Sequence, residues 1–186
     1  MRRAGGIAAM ALGTEQKGVL RGVVPAAIFC ALFLAVGYVV VPPPEIPTAE
    51  GPGARIAFAL ECDVFVFLCL VAAVGLVGNL RFFSPQDIQG SAVGNPSDRI
   101  KVPLAFLQNT LEQCVLAVGA HLALAAVLRT PEMRLIPPLV ALFVIGRAAF
   151  WIGYRQSGIG RAFGFATTFY PTVFAYGLAV VLLIVR

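Results

Sequence analysis

Five long apolar runs, at about 19–41, 57–80, 100–128, 135–154 and 161–185, constrain this chain more than any other feature. The first is uncharged from Gly22 to Pro44, and the last carries no charge between Arg161 and Arg186. A bilayer core takes roughly 20 residues of helix, so each run reads as one transmembrane span. The expected fold is all-α, an integral membrane helical bundle of five helices. Composition agrees: 59% of the 186 residues are hydrophobic and 12% charged. Soluble domains average about 45–50% and about 25%.

The breaks between runs follow from local chemistry. Pro42, Pro43, Pro44 and Pro47 stop the first helix, because proline lacks a donor and clashes with the preceding turn. Residues 42–56 read as an extended loop and residues 81–99 as a polar one. Ser97 or Asp98 is placed to cap the third helix, and Pro103 fits its first turn. The expected divisions are a short basic segment (1–18), an extra transmembrane helix with its proline-rich loop (19–56), and a four-helix membrane domain (57–186). The run after 1–18 is too long for the apolar part of a signal peptide, so the first helix is expected to be retained.

Basic residues orient the bundle. With the N-terminus cytoplasmic, the inner side carries Arg2, Arg3, Lys17, Arg21, Arg81, Arg99, Lys101, Arg155 and Arg161, nine in all, against four on the other side: Arg55, Arg129, Arg134 and Arg186. That bias predicts a cytoplasmic N-terminus and a C-terminus on the opposite side. It also accounts for the net charge of +5 without nucleic acid, since no basic groove with aromatic platforms is visible. Cys30, Cys62, Cys69 and Cys114 all fall in apolar runs and form no CxxC, so they read as small buried hydrophobes, not as metal ligands or disulfide partners.

Against this background the stretch Gln108-Asn109-Thr110-Leu111-Glu112-Gln113 stands out. Carboxylate and amide groups in a membrane helix are expensive toward lipid and must face protein or water. Asn109, Glu112 and Gln113 are spaced i, i+3 and i+4, which predicts a shared face. Arg147 and Tyr154 are seven residues apart, about 10 Å along one helix face, so Arg147 lies deeper and is a natural partner for Glu112. Arg81, Asn109, Glu112, Tyr154 and Arg161 are expected at one membrane depth on four helices. The plainer alternative is interhelical glue, with polar contacts of about 0.6–2 kcal/mol each. Toward the other side lie His121, Glu61 and Asp63, which read as interfacial side chains or as a buried polar cluster. Gly75, Gly78, Ala117, Gly119 and Ala120 suggest close helix packing, Trp151 and Tyr154 an aromatic belt, and Tyr170-Pro171 a kink in the last helix.

The order Asn-x-x-Glu in one helix, then Arg-x6-Tyr-x6-Arg across the next hairpin, resembles the MAPEG family, the membrane-associated proteins in eicosanoid and glutathione metabolism. The matching residues are Asn109, Glu112, Arg147, Tyr154 and Arg161, the Tyr154–Arg161 spacing is similar to that of the leukotriene-synthase branch, and the resemblance spans about 57–185. It implies a four-helix MAPEG-like core plus one N-terminal transmembrane helix, assembled as a homotrimer with glutathione as co-substrate between subunits on the cytoplasmic side. By resemblance Asn109 and Glu112 hold glutathione, Arg147 and Tyr154 belong to the binding site, and Arg161 stabilises the thiolate; Arg81, expected at the same depth, is placed with the binding residues as a substitute cation. A guanidinium beside a thiol favours its charged, nucleophilic form. Three positions depart from the family pattern: Ala105 where an arginine is common, Gln108 where one branch has a basic residue, and Phe165 where it has a tyrosine.

Three functions remain open. One is a glutathione-dependent transferase or peroxidase acting on a lipophilic small molecule. The second is a non-catalytic lipid-binding relative, which the absent cations favour. The third, a transporter using Glu112, His121 and Glu61, lacks the expected paired broken helices or inverted repeat.

Overall fold

The computed structural model describes residues 13–46 and 51–185. Among the described residues there are five α-helices: α1 (Thr14–Val40), α2 (Gly51–Phe82), α3 (Asp98–Val127), α4 (Ile136–Gln156) and α5 (Ala162–Val185). A 3-10 segment, Thr130–Leu135, leads into α4. All five spans are long and apolar enough to cross a bilayer. At about 1.5 Å per residue even the 21-residue α4 matches a hydrocarbon core of about 30 Å.

The first two helices begin earlier than their apolar runs. α1 starts at Thr14, where the Gly13 N–H donates to Gln16 Oε1 at 2.8 Å. α2 starts at Gly51, inside the expected loop, and Gly51 takes φ +62°, a conformation that suits a residue without Cβ. Ser97 is the α3 N-cap residue, yet its hydroxyl does not cap. It donates to Asp87 Oδ2 at 2.6 Å instead, while the Ser97 N–H donates to Oδ1 at 2.9 Å. α5 runs as one helix through Pro171.

The connections alternate the helix directions. α2 packs on α3, α4 on α5 and α3 on α5, and α1 lies against α5 with lesser contact to α4. The larger core joins α2–α5, with Leu124, Met133, Ile136, Leu139 and Phe143 near its centre. A smaller cluster of Ala73, Phe106 and Phe150, flanked by Trp151, Tyr154 and Phe165, lies toward the other end. α1 buries only Ala26 and Cys30, and turns Val24, Ile28, Leu32 and Val36 outward, as a lipid-facing helix should.

Close approach does come from small residues, at places other than Gly75 and Gly78, which face open space. A Cβ on Gly164 would run into the Phe150 backbone, and one on Gly146 would meet Thr168 Cγ2 at 2.6 Å. α4 and α5 therefore touch backbone to backbone, the small-residue packing that bilayers favour. That proximity positions the polar site.

Candidate functional site

Arg147, buried to 2% exposure, ties three helices together. Its Nη1 donates to Asn109 Oδ1 on α3 at 2.8 Å, and its Nη2 donates to Thr168 Oγ1 on α5 at 2.6 Å. The Thr168 hydroxyl in turn donates back along α5 to the Phe165 carbonyl at 2.9 Å. The guanidinium carbon stands 4.6 Å from the Phe150 ring centroid and 5.8 Å from that of Phe143. Arginine stays charged in proteins, so burial has to be met by donors placed on acceptors and by aromatic faces. Both are present, although Nε has no partner.

Arg147 therefore does not pair with Glu112, contrary to the sequence expectation. Glu112 is exposed and accepts from Gln108 Nε2 at 2.9 Å. The shared face of Asn109, Glu112 and Gln113 also fails: Asn109 is half-buried, Glu112 faces out and Gln113 is buried with Oε1 unpartnered. At 3.6 residues per turn, Glu112 and Gln113 sit about 60° and about 40° to opposite sides of Asn109. The boundary between core and periphery runs between them.

Asn109 is also part of a second feature, a cleft of about 470 Å³ enclosed by α1, α3, α4 and α5. Glu15, Asn109 and Arg161 supply its polar groups, and Val23, Phe150 and Phe165 are among its apolar walls. Because arginine only donates, Arg147 fixes the Asn109 amide with its oxygen inward, which leaves the NH2 as a donor at the cleft. Arg161 is exposed, and its guanidinium carbon lies 4.6 Å from the Tyr154 ring centroid. Tyr154 itself rests edge-on against Phe150, with centroids 5.4 Å apart. Asn109, Tyr154 and Arg161 thus come together.

Arg81 does not join them. It donates to Ser91 at 3.2 Å within the 84–97 loop. Two residues of the arrangement escaped sequence reasoning. Thr168 is one of a Thr-Thr pair in an apolar helix, a weak signal because helical threonines often bond their own backbone. Glu15 fell inside the basic N-terminal segment, and only the packing of α1 on α5 brings it to the cleft.

A separate polar pair sits farther along α3. His121 Nδ1 faces Asp63 Oδ1 at 2.6 Å, with exposures of 2% and 0%. The buried cluster considered from the sequence thus exists for Asp63 and His121, whereas Glu61 is exposed. Asp63 Oδ2 has no partner. Twelve residues, about 18 Å of helix, separate His121 from Asn109, so the pair is distinct from the cleft.

These features fall in a recognised class. The MAPEG family model matches residues 57–181, which covers α3, α4, most of α2 and most of α5, and the chain belongs to that family. It is a multi-pass integral membrane protein. Among curated proteins it is similar to transmembrane protein 79 of Mus musculus, 26% identical over 162 residues, covering 86% of this chain and 40% of the mouse protein. The transmembrane protein 79 of Bos taurus is 24% identical over 142 residues, covering 76% of this chain and 34% of the bovine one. The chain thus spans well under half the length of these relatives. The likeness to the mouse protein covers too much of the chain to lie within 57–186 alone, so it reaches into the α1 region. No solved structure gives a significant match.

Proposed function

We propose that this chain is a membrane enzyme that transfers glutathione to a lipophilic electrophile, or reduces a lipophilic peroxide with it, using a thiolate held beside Arg161. The observation that carries this reading is Arg161 itself. Its guanidinium stands at the cleft on the Tyr154 ring, and no carboxylate among the described residues is in ion-pair contact with it. A thiol brought there ionises more readily, which raises the population of the nucleophile at neutral pH. The Asn109 amide NH2 suits a glutathione carbonyl or carboxylate, and the Glu15 carboxylate suits its ammonium group. The apolar walls suit an acceptor arriving from the bilayer.

Assembly as a homotrimer is supported by α3. Glu112 and Gln108 are exposed about midway along that helix beside exposed Leu111 and Val115. A carboxylate at that depth is costly toward lipid, and a neighbouring copy would cover it. The Lys and Arg bias further supports a cytoplasmic N-terminal end of the bundle, which puts the cleft on the side where glutathione is abundant.

The test uses the purified protein in proteoliposomes. Glutathione raises its melting temperature, and a hydrophobic electrophile is conjugated. Arg161→Ala loses about tenfold or more of that rate at neutral pH, the equivalent of one pKa unit in the thiol. Part of the loss returns as pH rises toward the ordinary thiol value of about 8.5. Wild-type turnover in Arg161→Ala would sink the proposal.

A second reading, a non-catalytic lipid-binding member, draws on one observation. Arg161 is the single cation among the described cleft residues, since Ala105 offers none and Gln108 is bonded to Glu112. Stabilisation by lipids but not by glutathione would select it.

A further inference from the structure

α1 forms a second recess with α5, at the end of the bundle away from Arg161. It is an apolar groove of about 660 Å³. Ala27, Ala31 and Ala35, four residues apart on α1, line it together with Phe174, Leu178 and Leu182, four apart on α5. The alanines lack the bulk to fill the space between the helices. Nor can α1 slide inward to close it, because two glycines already hold it at close approach. A methyl group added at Gly22 would stand 3.0 Å from the Phe163 backbone nitrogen, and one added at Gly37 would stand 2.8 Å from Pro138 Cβ. The groove lies between those two anchor points, so it is preformed.

We propose that this groove holds one acyl chain of an anionic glycerophospholipid, with the lipid phosphate at Arg134. Length supports the chain. From Ala27 to Tyr38 α1 rises about 17 Å, close to the roughly 15 Å of one leaflet's hydrocarbon, half of a core of about 30 Å. A trough this apolar offers water no partners and fills with hydrocarbon in a bilayer.

Charge supports the headgroup. Tyr38 and Glu132 line the mouth. The Arg134 guanidinium carbon is stacked 4.6 Å from the Tyr38 centroid, and its Nε is buried without a partner. Arg129 holds the Glu132 carboxylate at 2.6 Å, so these three charges leave one net positive charge at the mouth. Arginine suits a phosphate because its donors form a planar fork. One wall of the groove is α1, outside the residues matched by the family model, so the site belongs to the added helix. It stands apart from the thiol reading and survives that reading's failure.

Native mass spectrometry of the chain purified in mild detergent tests the proposal, with phosphatidylglycerol and phosphatidylcholine of identical chains supplied in equal amounts. The wild type is expected to retain one phosphatidylglycerol per chain, with about a fivefold preference over phosphatidylcholine, as one interfacial cation provides. Ala31→Phe fills the groove from an exposed position and should release the lipid. Ala27→Leu with Ala35→Leu is a second fill should the first not fold. Arg134→Gln should keep an acyl chain but lose the headgroup preference. Equal lipid retention in the filled variants, or an unchanged preference in Arg134→Gln, would overturn the assignment. So would a filled variant that changes the number of chains per particle while leaving lipid unaltered, because the groove would then be an interface between copies.

Discussion

Arg147 and Arg161 lie fourteen residues apart on either side of one hairpin, and they do opposite things. Arg147 is buried, with its terminal nitrogens placed on Asn109 and Thr168 and its plane against Phe150. Arg161 is exposed and held by one aromatic face. The first is a brace whose two terminal nitrogens already have acceptors inside the bundle. The second presents its donors outward, to whatever enters the cleft. In a membrane bundle the useful distinction among charged residues is whether their hydrogen-bonding capacity is already satisfied.

The sharpest way to break this comparison is to remove each arginine in turn. Arg147→Ala empties the buried guanidinium site between Phe143 and Phe150 and leaves the inward-facing Asn109 oxygen and the Thr168 oxygen without their donor, although Thr168 keeps its bond to the Phe165 carbonyl. Each unsatisfied buried group costs about 1–3 kcal/mol, so the variant should lose several kcal/mol. Fluorescence-detected gel filtration after a heating series is expected to show a much lower melting temperature. Arg161→Ala should melt like the wild type. Equal losses in both would mean that the two arginines share one structural role.

A smaller effect tests how the brace is assembled. Gly164→Ala places a methyl group against the Phe150 backbone, where α4 and α5 touch. Overpacking of this kind costs about 1–3 kcal/mol, and it moves Thr168 away from Arg147. Circular dichroism melts should show the loss. Adding Arg147→Ala to Gly164→Ala should then cost less than its effect on the wild type, because the two changes act on one contact. Full additivity would separate the glycine contact from the brace.

The smallest effect belongs to a polar network outside the membrane spans. The hydroxyl of Ser84, followed by the N–H and hydroxyl of Ser97, holds the Asp87 carboxyl below its ordinary value of 3.8. A depressed folded pKa contributes stability above the unfolded value, and the contribution disappears as pH falls through the folded one. Hydrogen exchange in residues 84–97 should therefore be slow at neutral pH and accelerate below about pH 4. Asp87→Asn should bring part of that acceleration to neutral pH while leaving the Arg147 region protected. Simultaneous loosening of both regions would show that the loop and the brace form one unit.

Much of the fold was legible in the apolar runs, because lipid allows few solutions for twenty apolar residues. Five helices were expected and five are present among the described residues, with starts moved outward to Thr14, where Glu15, Gln16 and Lys17 form helix readily, and to Gly51, where Pro52 suits a first helical turn. The site was legible in part. Asn109, Tyr154 and Arg161 meet at one end of the bundle, as their order along the chain implied. Glu112 was misplaced because spacing along a helix gives angles between side chains, not which angle faces the core. Thr168 and Glu15 carried too little local signal. Their roles come from neighbours far away in the chain, 21 residues off for the hydrogen bond between Arg147 and Thr168.

The sequence by itself determined that the chain enters a membrane, where its helices run, and that polar residues interrupt the third and fourth of them. The physical reason is solvent: apolar length and buried charge are properties of the chain that a bilayer reads directly. The tertiary structure decided which charge became brace and which stayed open. Asn109 takes Arg147, Glu112 turns outward, and α1 settles on α5 to wall both the cleft and the groove. Those outcomes depend on how closely backbones approach at Gly22, Gly146 and Gly164 and on which face each helix turns inward, and interhelical packing alone sets both.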